Sequence, residues 1–280
     1  MLPNFLIIGA QKSGTTSMYN VLINHSQIFM PKKKEVNFFF LEKEYRKGIS
    51  HYERYFKNSK SATAVGEASP GYISNPVTAG RIRKHIPHCK IVLCIRNPIL
   101  RAYSQYWDNR RQLIEHETFD ESLIAYLKSP NHLFHRGYFT RGFYYDQIMR
   151  YFELFDRNQI LILLFDDLIG DPKAFYEEIL RFIDVEDSSE LNYHMKSNQL
   201  TVFTNILYQQ FFREPKYCKF LNRVTRRIIR VGHQHQFKKP AMSNWAYETL
   251  RRLYEIPNQK LSEMLKRDLS MWNIEGSGNK

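Results

Sequence analysis

Four short apolar runs, each bounded by polar or turn residues, constrain this chain more than any other feature: Phe5–Ile8, Ala62–Val65, Ile91–Ile95 and Ile160–Phe165. They are strand-sized, and continuous hydrophobicity marks strands buried on both faces. Helical patterns lie between and after them. Met18, Val21 and Leu22 follow the first run at i, i+3, i+4 spacing. Phe175, Ile179, Leu180 and Ile183 follow the last, with Asp171-Pro172 as the helix start. Strands that alternate with helices predict an α/β fold, a P-loop-like parallel β-sheet flanked by helices. No linker, repeat or low-complexity stretch divides the 280 residues, so one domain, 1–280, is expected. The C-terminal part reads as helical. Ser243 caps a helix through Leu253, Pro257 is expected to break or kink it, and Leu261, Met264 and Leu265 resume the pattern.

In such sheets ligands bind beyond the carboxyl ends of the strands, so the residues after each apolar run are the candidates for chemistry. After Phe5–Ile8 comes Gly9-Ala10-Gln11-Lys12-Ser13-Gly14-Thr15-Thr16-Ser17. The two glycines have the spacing of a Walker A loop, whose backbone amides converge on anionic oxygens at a helix N-terminus. Thr15 occupies the usual lysine position, however, and the lysine has moved into the loop as Lys12. That displacement speaks against a nucleotide triphosphatase. The loop is either a plain strand-to-helix turn or a grip on a 5'-phosphate, with Lys12 facing the bond that breaks.

Ile91–Ile95 runs into Arg96-Asn97-Pro98, where a nucleotide hydrolase would place an aspartate to hold Mg²⁺. An arginine offers a planar fork suited to phosphate instead. Ser104 stands eight residues on, about two turns into the following helix, where it can return toward the same anion. The plainer alternative is a surface ion pair and an exposed serine. Glu67, in Gly66-Glu67-Ala68-Ser69-Pro70-Gly71-Tyr72, is a candidate general base at a strand end, or else a salt-bridge partner for a lysine. Lys32-Lys33-Lys34 alone reads as a solvated charge run.

These segments together resemble one known family. Gln11-Lys12-Ser13-Gly14-Thr15-Thr16 is similar to the 5'-phosphosulfate loop of sulfotransferases that use 3'-phosphoadenosine 5'-phosphosulfate (PAPS), in particular the carbohydrate class that includes heparan sulfate N- and 3-O-sulfotransferases. Arg96 to Ser104 resembles that family's 3'-phosphate motif, Glu67 to Tyr72 its E-x-S/T-x-x-Y segment, and Lys34 to Phe39 its K-E-x-x-F-F segment. The resemblance implies that Gln11, Lys12, Ser13, Gly14, Thr15, Thr16 and Ser17 hold the phosphosulfate. It implies that Arg96 and Ser104 bind the 3'-phosphate, that Glu67 is the base and that Lys34 approaches the reacting centre. Adenosine 3',5'-bisphosphate would be the product. With a single phosphate held by protein cations as leaving group, no metal should be required. Lys238 and Lys239 correspond to the cofactor-covering loop, although this chain reads His233-Gln234-His235-Gln236-Phe237-Lys238-Lys239 where many relatives have Lys-Gly-Arg or Arg-Lys-Gly.

Net charge is +13, and nine Lys/Arg against one acid fall between Arg213 and Lys239. This stretch is a solvated basic face or a wall over an anionic cofactor or acceptor; the charge favours an anionic glycan, and a lipid, a natural product or another small hydroxylated metabolite fits as an acceptor too. Two rivals stay open. A P-loop kinase or hydrolase would use Ile160–Phe165 with Asp166-Asp167 as its Walker B strand. A nucleic-acid-binding protein would use the basic stretch, though no known nucleic-acid motif is present and no nucleic acid is expected. No H-e-x-x-H or Cys/His spacing suggests a metal. No run approaches the roughly 18 apolar residues of a membrane span, the N-terminus lacks a signal-peptide pattern, and Cys89, Cys94 and Cys218 form no disulfide framework. The protein is therefore expected in the cytoplasm. Acceptor identity and oligomeric state leave no signature in the sequence.

Overall fold

The computed structural model describes residues 1–59, 61–112, 114–130, 137–186, 191–193 and 239–273. Its strands are β1 (Phe5–Gly9), β2 (Ile28–Phe29), β3 (Ala64–Ala68), β4 (Lys90–Ile95) and β5 (Ile160–Leu164). They form a five-stranded sheet in the order β2-β3-β1-β4-β5, and every neighbouring pair is parallel. The helices, in chain order, are α1 (Thr15–Leu22), α2 (Glu42–Tyr45), α3 (Ile49–Glu53), α4 (Thr78–His85), α5 (Pro98–Arg111), α6 (Phe119–Lys128), α7 (Tyr144–Phe152), α8 (Phe165–Gly170), α9 (Pro172–Phe182) and α10 (Asn244–Leu265). The expected α/β class is what the chain adopts.

The chain leaves β1 for the edge strand β2, returns through β3 to the flank of β1, and then crosses to β4 and β5 on the other side. Strand order therefore reverses at β1, and the crevice beyond the carboxyl ends there is the position at which open α/β sheets take ligands. Three segments end at that rim: the loop after β1, the end of β3, and Arg96 after β4.

The sheet is held by the residues that the apolar periodicity singled out. Met18, Val21 and Leu22 of α1 pack with Phe175, Ile179 and Leu180 of α9, and with Ile183 just beyond it, over Phe5, Ile7, Val92 and Cys94. Each such aliphatic side chain contributes about 1.5–3 kcal/mol when fully buried. Asp171 starts α9 as its sequence suggests, accepting a 3.0 Å bond from the Ala174 amide ahead of Pro172.

Two elements depart from expectation. The third strand begins two residues later than its apolar run and continues through Gly66-Glu67-Ala68, so Glu67 lies within β3 and not after it. The cause is the ladder to β1, which pairs Leu6 with Glu67 and Ile7 with Ala68. The final helix continues through Pro257 to Leu265. Of the break or kink expected at Pro257, the break does not occur: proline removes one N–H bond and crowds the carbonyl four residues back, and the turns on either side still sustain the helix.

The chain divides into two compact units. One comprises Met1–Asn97, the residues from Phe143 onward and Pro257–Leu269, and carries the whole sheet. The other is built on Pro98–Gly142 and the residues leading to Ile256. In this second unit α6 opens with a Thr118–Glu121 capping box. Tyr103, Tyr106, Phe119, Tyr138 and Phe139 form an edge-to-face aromatic cluster, and the fully buried Arg101 donates to the Tyr138 carbonyl.

Candidate functional site

The turn from β1 to α1 is made entirely by Ala10–Gly14. Gly14, the N-cap residue of α1, has φ +82°, and a Cβ placed there would meet Leu168 Cδ2 at 2.7 Å. Only glycine takes that conformation in that space without strain. Lys12 also has positive φ, +69°. Gly14 has no side chain with which to cap the helix, and the first turn contains no acidic residue. The leading amides of α1 have no intrahelical acceptor, and the helix dipole makes this end positive.

The loop's hydroxyls complete an acceptor-poor cradle. Ser13 is 0% exposed, and its Oγ has no hydrogen-bond partner. A buried hydroxyl left unsatisfied costs about 1–3 kcal/mol. Thr15 and Ser17 are buried beside it, while Gln11, Lys12 and Thr16 are half-buried. Uncapped amides, an orphaned hydroxyl and a lysine in one turn fit an anion with several oxygens, as a 5'-phosphosulfate has.

Arg96 joins this loop. The in-register pairing of Ile95 with Leu164 sets Arg96 beside Phe165. The guanidinium lies 4.6 Å from that ring's centroid, and Nη1 approaches the Lys12 carbonyl at 3.5 Å. The Tyr144 hydroxyl donates to the Arg96 carbonyl at 2.9 Å, fixing the backbone at the strand end. The loop from Gln11 to Ser17 and Arg96 therefore come together within one unit. Ser104, in α5, and the half-buried Lys239, ahead of α10, belong to the other unit. Lys238, His233, His235 and nearly all of the basic stretch from Arg213 lie outside the described residues.

Glu67 is 0% exposed. Its carboxylate accepts bonds from Ser69 Oγ at 2.6 Å, Tyr72 Oη at 2.6 Å and Tyr52 Oη at 2.9 Å, and from the Val36 backbone. These partners are hydroxyls and an amide, not the lysine that a salt bridge needs. Burial raises the Glu67 pKa above the ordinary carboxylate value, and the hydrogen bonds oppose that rise. Burial and the Glu67 charge hold both tyrosines well above theirs, so they remain O–H donors. Lys34 is half-buried and pairs with Glu35 at 3.2 Å; the Glu35 side chain is 43% exposed.

Asp166 and Asp167 stand in the first turn of α8, and Asp167 pairs with Arg267 at 2.9 Å. Among the described residues no cluster of three or more His, Cys, Asp or Glu is arranged to hold a metal ion, and no helix is long and apolar enough to cross a membrane. Two participants had no direct signal in the sequence: Phe165 beneath Arg96, and Tyr52 on Glu67. Phe165 follows β5 at the register position next to Arg96, a pairing that the structure supplies and the sequence does not.

A family model described as a sulfotransferase domain matches residues 2–264. The membrane-associated sulfotransferase kil1 of Dictyostelium discoideum is 41% identical over 108 residues, 38% of this chain and 22% of that protein. The bifunctional heparan sulfate N-deacetylase/N-sulfotransferase 3 of Homo sapiens is 27% identical over 281 residues, covering 95% of this chain and 30% of that protein. The chain thus spans less than a third of the length of these curated relatives. A solved sulfotransferase from Alicyclobacillus acidocaldarius superposes with a TM-score of 0.74 at 26% identity, covering 98% of this chain and 100% of its own.

Proposed function

The chain belongs to the sulfotransferase family, and on that premise we propose that it transfers sulfonate, with PAPS as its donor and a hydroxyl or amine on an anionic glycan as its acceptor. The observation that carries the donor half is the turn at Gly9–Thr15: an uncapped helix N-terminus, a left-handed Gly14 and a buried, unpartnered Ser13 hydroxyl. PAPS, when bound, supplies the sulfonate and a phosphate leaving group. The amides of Thr15, Thr16 and Ser17 with the Ser13 hydroxyl would hold the 5' end. Lys12 would neutralise negative charge as it builds at the loop, the kind of preorganised contact that is often the largest catalytic effect. Arg96 and Ser104 are proposed for the 3'-phosphate on the spacing of their motif, and Lys238 and Lys239 for the covering loop on resemblance.

For the acceptor's proton, two carboxylates come into consideration. Glu67 was the candidate in the sequence, but its oxygens are occupied by three hydroxyls and it is fully buried. Glu35 is exposed beside Lys34 on the segment that Glu67 touches. A base must come within hydrogen-bond reach of the proton it takes, so we assign the proton to Glu35. The glycan acceptor rests on the net charge of +13 and on the heparan sulfate relatives. A cytoplasmic location is proposed from Cys89 and Cys94, which are buried free thiols.

The test is transfer from radiolabelled PAPS to an unsulfated glucuronic acid–glucosamine polysaccharide. Label should appear in the polysaccharide, and Glu35→Gln should lower kcat by about 10²–10⁴-fold. Full activity in Glu35→Gln would return the base to another group. No label in any polysaccharide or hydroxylated acceptor would overturn the proposed chemistry.

A further inference from the structure

We infer that Glu67 is a positioning residue: its buried carboxylate, acting through the Ser69 and Tyr72 hydroxyls, anchors the backbone of Val36–Phe39 and thereby presents Lys34 and Glu35 to the acceptor. The inference rests on the sulfotransferase reading for its acceptor, but its geometry stands without it.

The network runs in one direction. A hydroxyl has one proton to give and two lone pairs with which to accept. Ser69 Oγ gives its proton to Glu67 at 2.6 Å and accepts the Asn37 amide at 2.9 Å. Tyr72 Oη gives its proton to Glu67 at 2.6 Å and accepts, more weakly, the Phe39 amide at 3.4 Å. The Val36 amide reaches Glu67 itself. Three main-chain amides of one short segment thus end, directly or through one hydroxyl, on a single carboxylate. An ionised carboxylate is the only side chain of this size that accepts from every side. It fixes which way each hydroxyl points, and so fixes which lone pairs face the segment.

The segment needs such an anchor. Asn37 has φ +57°, a left-handed conformation that asparagine tolerates better than most non-glycine residues but that is still a minority state, and its amide is held there by Ser69 Oγ. Val36, Phe38 and Phe39 are buried on either side, and Tyr52, the third donor to Glu67, stacks on Phe38 with centroids 4.6 Å apart. Apolar side chains hold the segment in the core while the carboxylate sets its backbone. What remains toward solvent is the Lys34–Glu35 pair. The strand position of Glu67, opposite Leu6 in β1, ties this anchor to the strand that carries the phosphate loop.

The experiment uses the full chain and four variants: Glu67→Gln, Tyr72→Phe, Ser69→Ala and Ser69→Thr. Tyr72→Phe keeps ring and volume and removes one hydroxyl, so the fold should survive it even where Glu67→Gln does not. Amide hydrogen exchange of the peptide spanning Val36–Phe39 should speed up by about three- to tenfold in Tyr72→Phe and Ser69→Ala, the scale of one lost hydrogen bond. Ser69→Thr, which keeps the hydroxyl, should restore slow exchange. Stabilisation by adenosine 3',5'-bisphosphate should be unchanged in all of them. With the polysaccharide acceptor varied at saturating PAPS, acceptor KM should rise in Tyr72→Phe and Ser69→Ala and recover in Ser69→Thr. Glu67→Gln should keep the acidic limb of the kcat/KM–pH profile. Unchanged exchange at Val36–Phe39 in Tyr72→Phe and Ser69→Ala overturns the inference. So does loss of the acidic limb in Glu67→Gln, which would make Glu67 the base. If wild type transfers to no acceptor, the functional reading fails, and the exchange result still decides the anchor.

Discussion

Replacing Gly14 by alanine tests the turn after β1 at a position where backbone and packing both leave little room. The residue sits at φ +82°, where a side chain costs about 1–2 kcal/mol. The added Cβ would meet Leu168 Cδ2 at 2.7 Å and Phe165 ring carbons at 3.1 and 3.2 Å. The leucine methyl can swing aside, but the Phe165 ring lies under the Arg96 guanidinium. Moving it should add about 1–2 kcal/mol, at the lower end of overpacking costs. The sum is about 2–4 kcal/mol. Unfolding entropy for a chain of 280 residues is about 0.6 kcal/mol per degree, so Tm should fall by about 3–7 °C. Differential scanning fluorimetry reads this directly, and adenosine 3',5'-bisphosphate should stabilise the variant less than wild type because the cradle has shifted. Gly170→Ala, whose Cβ meets nothing within 4 Å, is the control and should melt within about 1 °C of wild type. A Gly14→Ala protein that melts with wild type and binds the bisphosphate equally would refute the reasoning.

Three further outcomes are expected. Lys12→Ala should lower kcat by about 10²–10³-fold, the cost of one preorganised contact; an unchanged kcat removes Lys12 from the chemistry. The Glu67 pKa is raised in the folded state, so its ionisation weighs against folding: that contribution to stability is full below the ordinary value and is lost as pH rises through the raised one. Tm of Glu67→Gln minus Tm of wild type should therefore grow as pH rises above the ordinary carboxylate value, and a flat or shrinking difference contradicts the raised pKa. Burial pushes the Cys89 thiol up to about 12 and holds the Cys94 thiol well above its ordinary value. Iodoacetamide at mildly alkaline pH should leave both unmodified in the native protein, and rapid native-state labelling at either would show that the strand is open.

Legibility in the sequence followed how local the cause of each element is. β1, β4 and β5 match their apolar runs to within a residue at each end, because strands buried on both faces need continuous hydrophobicity and little else. β2 has two residues and no room for a pattern. β3 was misplaced because Gly66 and Glu67 read as lying past the end of the apolar run, and what makes that glutamate tolerable inside a strand is remote: Tyr52 stands fifteen residues earlier. Ser69 and Tyr72 were visible as part of a motif, but their amide partners in Asn37 and Phe39 were not. The turn from β1 to α1 was readable because glycine spacing reports backbone conformation directly, and Gly14 is left-handed as that spacing suggests. Phe165 was hidden because its place against Arg96 depends on the β4–β5 register, which no local pattern states.

The central claim is that the loop after β1 and Arg96 recognise a 3'-phosphorylated adenine nucleotide, as a PAPS-dependent enzyme requires. Thermal unfolding with adenosine 3',5'-bisphosphate, ADP and ADP with Mg²⁺ at equal concentration measures this most directly. At a hundred times its Kd the bisphosphate should add about 2.7 kcal/mol, a Tm rise of about 4–5 °C. ADP should move Tm far less with or without Mg²⁺, because a site built to pair with the missing phosphate leaves its own polar groups unsatisfied. Arg96→Ala should erase most of the difference while the protein stays folded. Equal stabilisation by ADP and the bisphosphate in the wild type would contradict the account.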